Sequence, residues 1–270
     1  CGFKVFLYEM LVPVPVLSFT TAFLGCTCGV MLTASHNPKE YNGYKVYDNR
    51  GCQFCTEDAK NAIGYINDIT DFSVIPFSDS MDNITMIGED VLSEFLKKVK
   101  EQSLYEEKSD LKIVYTPLHG TGNLPVRRVL AELGFENVYV VKEQELPDGN
   151  FPTVSYPNPE AAEAFALGLK LAKEVDADLV LANDPDADRL GVYAKDTKTG
   201  EYVAFTGNMS GMLIAEYLLR EKVKTGTMPA NPAMVTTIVT TNMTFPITAK
   251  YDVKLIEVLT GFKFIGEQIK

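Results

Sequence analysis

Between residues 111 and 182 the sequence alternates short apolar runs with longer amphipathic ones, and this alternation restricts the fold more than any other feature. The runs at 111–115, 138–141 and 178–182 read as strands. Residues 124–133 and 160–174 read as helices, the second with Ala162, Phe165, Leu169 and Ala172 on one face. A Gly-rich loop from Pro117 to Gly122 and a Pro-rich excursion over 146–159 supply two of the connections. Strands separated by helices of this length predict an α/β fold, with a mainly parallel sheet covered on both faces and right-handed crossovers.

The flanking stretches follow a similar plan. Before it come a strand at 3–8, an extended turn at Leu11-Val12-Pro13-Val14-Pro15, and a helix at 18–24 opened by Ser18. Strands at 30–32 and 44–47 and a helix at 57–66 follow, and a polar, Pro-containing stretch at 68–82 closes the unit. A helix at 90–102 opens the next. After it come a helix at 207–219, a Gly- and Pro-bearing loop at 221–232, a strand at 234–240, a helix at 245–250, a strand at 253–258 and a helix from about Gly261. The expected division is three α/β units: 1–82, 83–200 and 201–270.

At 46% hydrophobic and 23% charged residues, the composition is that of an ordinary globular protein. A net charge of -11 without a basic stripe argues against a nucleic-acid partner. The opening CGFKVFLYEM has neither a basic n-region nor a signal-peptide core, and no apolar run reaches membrane-spanning length; the expected setting is cytoplasmic. The sequence leaves the oligomeric state open. Five cysteines include Cys26, Cys28, Cys52 and Cys55, whose CxC and CxxC spacings invite a zinc reading but do not fit known ligand spacings well. Reduced, buried thiols are the expectation.

Two stretches carry chemistry. The apolar run Val30-Met31-Leu32 leads into Thr33-Ala34-Ser35-His36-Asn37-Pro38, and a strand leaves again after an Asn42-Gly43 turn signal. A hydroxyl on a tight loop at the end of a buried strand is where open α/β sheets place their chemistry, although for a lone Ser a simple cap is the commoner reading. The second stretch is Asn183-Asp184-Pro185-Asp186-Ala187-Asp188-Arg189 after an apolar strand. In extended backbone, residues two apart share a side, so Asp184, Asp186 and Asp188 can converge, and three adjacent carboxylates call for a cation. An oxygen-only set suits Mg²⁺. An EF-hand is excluded, because Arg189 stands where its Gly is required and Lys195 where its Glu is required. A solvated acidic turn is the plainer alternative.

TASHNP-x-x-YNG-x-K and DPDADRLG together, in that order, resemble the phosphoserine and metal loops of the α-D-phosphohexomutases, the phosphoglucomutase/phosphomannomutase family. The resemblance implies successive phosphohexomutase-type α/β domains with mixed, mainly parallel sheets. It implies a mutase interconverting 1-phospho and 6-phospho sugars, glucose and/or mannose. Ser35 would be phosphorylated and would join Asp184, Asp186 and Asp188 on Mg²⁺, with glucose 1,6-bisphosphate or an equivalent as intermediate. Lys45, at the family's GYK position, becomes a general acid or base, its pKa lowered among a metal and arginines; otherwise it is a surface-strand lysine. His36 follows the nucleophile, and because successive residues diverge it is expected to hydrogen-bond substrate or loop instead of deprotonating Ser35. Arg189 pairs with phosphate or holds the Asp loop. Thr260, Gly261 and Lys263 resemble the family's TGFK sugar-phosphate segment, or else start a helix. His119, in TPLHGTG, either helps bind an anion or is structural. Family members carry small residues or Thr at the cysteine positions. Relative to the resemblance, the chain lacks the arginine-bearing start of domain one, the sugar-selecting loop of domain three and the phosphate-binding domain four, so the expected partners are small sugar phosphates and the expected turnover of these 270 residues is poor. A phosphopentomutase is the neighbouring reading, and a non-catalytic sugar-phosphate-binding fragment the rival from another class.

Overall fold

A computed structural model describes residues 2–104 and 109–269. The elements run β1 (Val5–Tyr8), α1 (Val14–Phe23), β2 (Cys28–Leu32), β3 (Tyr44–Asp48), α2 (Thr56–Asn67), β4 (Ile84–Ile87) and α3 (Glu89–Lys100). They continue β5 (Ile113–Thr116), α4 (Asn123–Glu132), β6 (Val138–Val140), α5 (Ala166–Val175), β7 (Leu179–Asn183), β8 (Leu190–Lys195) and β9 (Tyr202–Phe205). The last group is α6 (Gly207–Lys224), β10 (Ala233–Thr237), α7 (Thr244–Lys250), β11 (Lys254–Val258) and α8 (Phe262–Ile269).

The middle of the chain forms one five-stranded sheet in the order β6-β5-β7-β8-β9. Its β6-β5-β7 part is parallel, as the strand–helix alternation requires, and β8 and β9 extend it antiparallel. This hairpin is absent from the sequence reading; it turns through Asp196–Gly200, where Gly200 has φ 77°. β5 is buried along its whole length, and Val114, Val180 and Ala182 at 0% exposure meet Leu118, Phe165 and Ala172 in the main core. The helix expected at 160–174 begins instead as a 3-10 turn at Ala162–Phe165 and becomes α5 only from Ala166.

In the first unit β2 pairs antiparallel with β3, and β1 pairs parallel with β4, a strand the sequence reading did not anticipate. The expected turn through Pro13-Val14-Pro15 is instead the start of α1, with Pro15 in its first turn. Proline has no N–H to lose there, and its fixed φ suits the helix. Ser18, expected as the cap, lies mid-helix and donates to the Gly51 carbonyl at 2.6 Å. α1 buries Val16 against Leu92 and Leu96 of α3, each at 2% exposure or less. Each of these leucines contributes about 2 kcal/mol by burial. The third unit is the parallel pair β10–β11 with α6, α7 and α8 around it. α6 extends past the expected 219 to Lys224 and ends before Gly226, φ 68°.

Among the described residues no helix is long and apolar enough to cross a membrane.

Candidate functional site

The C-terminal ends of β2 and β7 project toward the same place. Ser35 adopts φ 53° and Ala187 φ 53°, left-handed values that non-glycine residues take only under constraint, so both loops double back sharply. The outcome is that Ser35 Oγ donates to Asp184 Oδ2 at 2.9 Å, a contact between residues 149 apart in sequence. Asp184 Oδ1 accepts the backbone N–H groups of Asp188 and Arg189 at 3.2 and 3.0 Å. Asp186 Oδ2 accepts from Lys45 Nζ at 2.9 Å and from Thr33 Oγ1 at 3.0 Å. Lys45 also reaches Asp188 Oδ2 at 3.0 Å.

Asp184 and Asp186 are 0% and 3% exposed, and one ligand oxygen from each of the three aspartates lies within 4.8 Å of the others. Asp186 Oδ1 is buried with no hydrogen-bond partner. A buried carboxylate oxygen without a donor is costly. A hard divalent cation among three carboxylates, with the Ser35 oxygen alongside, fits this donor set. Of the four described cysteines only Cys55 is buried; Cys26 and Cys52 are half-buried and Cys28 is exposed, so the expectation of buried thiols fails at three of them.

Electrostatics divide the site. Burial, then the Asp186 charge, raises the Asp184 pKa. Burial also acts to raise that of Asp186, but the hydrogen bond and charge of Lys45, with hydrogen bonds from Asp184 and Thr33, together outweigh it and the net direction is down. Burial would lower the Lys45 pKa, yet Asp186 and Asp188 together raise it. The lowered value expected for Lys45 is therefore not found: its neighbours here are carboxylates, not cations. His36 is held low by burial and by the Arg189 charge.

His36 departs from the divergence expected of consecutive residues. The left-handed turn at Ser35 folds the loop so that His36 Nδ1 lies 3.2 Å from Ser35 Oγ, and the His36 ring packs edge-on to Tyr156 at 5.6 Å. The Arg189 side chain is exposed and, among the described residues, its guanidinium makes no hydrogen bond or ion pair. His119 is 5% exposed, and its Nε2 lies 2.8 Å from Thr153 Oγ1, inside a packed polar cluster. Thr260, Gly261 and Lys263 lie at the start of α8, where Lys263 Nζ sits 4.9 Å from the Phe264 ring centre. Among the described residues no hydrogen bond or ion pair joins them to Ser35 or the Asp loop.

Three contributors escaped the sequence reading. Thr33 bridges the loops, accepting from Ser35 N at 2.9 Å while donating to Asp186. Val14 N, at the start of α1, donates to the Asp186 carbonyl at 2.9 Å. Thr121 donates to the Pro185 carbonyl from both its N–H and its hydroxyl. Thr33 lies inside the TASHNP motif and was available as a signal; the other two depend on backbone contacts that no residue pattern announces.

Comparison with known proteins agrees with this geometry. Family models for the phosphoglucomutase/phosphomannomutase alpha/beta/alpha domains I, II and III match residues 1–72, 93–199 and 206–270. A phosphoglucomutase of Staphylococcus aureus is 38% identical over 259 residues, 95% of this chain and 46% of that protein. A protein of Haemophilus influenzae named probable phosphomannomutase is 37% identical over 271 residues, 98% of this chain and 54% of that one. The chain thus spans about half the length of these relatives. A phosphoglucomutase/phosphomannomutase family protein of Burkholderia thailandensis shares the fold, with a TM-score of 0.71 at 23% identity over 96% of this chain and 52% of that one. With three consecutive domain models matched in order, the chain belongs to the phosphoglucomutase/phosphomannomutase family.

Proposed function

We propose that this chain carries the phosphoryl-transfer centre of a sugar-phosphate mutase. The enzyme interconverts sugar 1-phosphate and sugar 6-phosphate by way of a phosphoserine at Ser35 and a bound 1,6-bisphosphate. The observation that carries this reading is the 2.9 Å contact of Ser35 Oγ with Asp184, which puts the hydroxyl against the carboxylate cluster. Glucose or mannose is favoured over a pentose by the names of the relatives at 38% and 37% identity.

Asp184, Asp186, Asp188 and the Ser35 oxygen would hold Mg²⁺, which supplies Lewis-acid neutralisation of phosphoryl charge. The residues of the chain do the rest. In one half-reaction a sugar hydroxyl forms a new P–O bond while the bond from phosphorus to Ser35 Oγ breaks. The hydroxyl proton passes to a base, and the serine oxygen is left to be reprotonated or re-phosphorylated. His36, held uncharged near neutral pH, lies within reach of Ser35 Oγ and can accept that proton. Lys45, held as an ammonium by two carboxylates, supplies a fixed positive charge beside the carboxylate cluster. Arg189, with its guanidinium exposed, is placed to pair with a phosphate oxygen. Thr260, Gly261 and Lys263 are the candidates for the distal sugar phosphate, whereas His119, buried against Thr153, takes the structural alternative.

Incubation of the chain with Mg²⁺ and glucose 1,6-bisphosphate labelled in its phosphoryl groups tests the proposal. Label should map to Ser35 and vanish in Ser35→Ala. Label on another residue, or full labelling of Ser35→Ala, contradicts it.

A further inference from the structure

Leu118 and His119, at φ 46° and 59°, are consecutive non-glycine residues in the left-handed region. Such a pair persists only where its surroundings over-determine it. The constraint here is a buried polar chain. Leu118 N donates to Thr116 Oγ1 at 3.1 Å, and Thr116 Oγ1 donates to Gln144 Oε1 at 2.7 Å. Gln144 Nε2 donates to Thr153 Oγ1 at 3.0 Å, and the same hydroxyl meets His119 Nε2 at 2.8 Å. The backbone closes the circuit, His119 N donating to the Gln144 carbonyl at 3.0 Å. Thr116, Gln144 and His119 are 0%, 1% and 5% exposed. A fully satisfied buried network of this kind is rigid.

What this rigid turn presents is Gly120-Thr121. A Cβ on Gly120 would lie 2.4 Å from Pro185 Cα, so only glycine permits the approach. Thr121 then donates twice to the Pro185 carbonyl, from N at 2.8 Å and from Oγ1 at 3.0 Å. Pro185 stands between Asp184 and Asp186, and the Asp186 carbonyl is held from the other side by Val14 N at 2.9 Å. The loop that crowds three carboxylates together is therefore clamped by groups that touch none of those carboxylates.

We propose that Gln144, Thr153, His119 and Thr121 form a positioning relay that sets the divalent-cation affinity of the Asp184–Asp188 loop; this rests on the reading of that loop as a metal site. His119 and Gln144 lock the turn, and Thr121 transmits it to Pro185. Outer groups that orient metal ligands commonly change affinity by about 10–100-fold when removed.

The test is titration of the chain with Mg²⁺ alone, followed by calorimetry, beside thermal melts in chelator. Thr121→Val and Thr153→Val each remove one hydroxyl with little change of shape. Each should weaken Mg²⁺ binding roughly tenfold, and Thr121→Ser should retain native affinity. Thr121→Val should leave the melting temperature in chelator close to native, whereas Thr153→Val, which strips Gln144 Nε2 and His119 Nε2 of a partner, should lower it. Native affinity in both valine variants overturns the relay, as does an equal loss in Thr121→Ser. Should Thr153→Val fail to fold, Thr121→Val and Thr121→Ser decide the matter alone. Asp186→Ala separates the two readings. If it binds Mg²⁺ as well as the native chain, or the native chain binds none, the metal reading fails and the relay with it. If Asp186→Ala loses binding and the valine variants do not, the relay alone fails.

Discussion

Asp184 and Asp186 are adjacent buried carboxylates pushed in opposite directions. Asp184 is raised by burial and by its neighbour's charge, whereas at Asp186 Lys45, with hydrogen bonds from Asp184 and Thr33, overcomes burial and lowers it. A carboxyl with a raised folded-state pKa keeps its proton in the folded chain after the unfolded chain has lost it. Stability therefore falls as pH rises from the ordinary carboxylate value through the raised one. Asp186 acts in a lower window: its contribution is present above the ordinary value and is lost as pH falls through its lowered one. Asp184→Asn imitates the neutral form and removes the first effect. In chelator, its advantage in unfolding free energy over the native chain should grow between about pH 5 and about pH 8 by about 1.4 kcal/mol or more, a tenfold change in proton affinity. The same variant should bind Mg²⁺ more weakly, since a ligand charge is gone. Denaturant titrations at the two pH values measure the first effect; an advantage that shrinks with rising pH contradicts the account.

At the scale of elements, the Ser35 loop keeps its shape through the strands that enter and leave it. Thr33 N donates to the Gly43 carbonyl at 3.1 Å, and a Cβ on Gly43 would fall 2.0 Å from the Thr33 carbonyl oxygen. Gly43→Ala should therefore spread β2 from β3 at the mouth of the loop and cost about 1–3 kcal/mol in denaturant unfolding. An unchanged midpoint would show that the strands yield freely there. The elements best read from sequence were the buried ones. β5, β6 and β7 are apolar runs bounded by turn residues, and the structure sets each within two residues of its expected limits. β4 and β8 escaped because neither is a continuous apolar run bounded by turns. β4 is four residues long, and β8 is partly exposed; each is a strand through pairing with a distant partner. The start of α1 was misread for a different reason: prolines that break a helix interior are neutral in its first turn.

At the scale of the whole molecule, the two candidate loops were legible as short motifs, and their meeting was implied by the resemblance alone. Spacing and composition do not place Ser35 against Asp184; packing of α1 on α3 and the clamp of Val14 on Asp186 bring the first and second units together. In the third unit, Thr260, Gly261 and Lys263 stand at the start of α8, and α8 packs near Cys52 of the first unit, with the Cβ position of Gly266 3.7 Å from its sulfur. The central claim is that two loops from different units make one phosphoryl and metal site. Phosphorus NMR of the bisphosphate-treated chain, titrated with Mn²⁺, tests it most directly. A single phosphoserine resonance should appear, broadened by Mn²⁺ in the native chain and left sharp in Asp186→Ala. A resonance that stays sharp while the native chain has Mn²⁺ bound, or phosphorus on a residue other than Ser35, would contradict it.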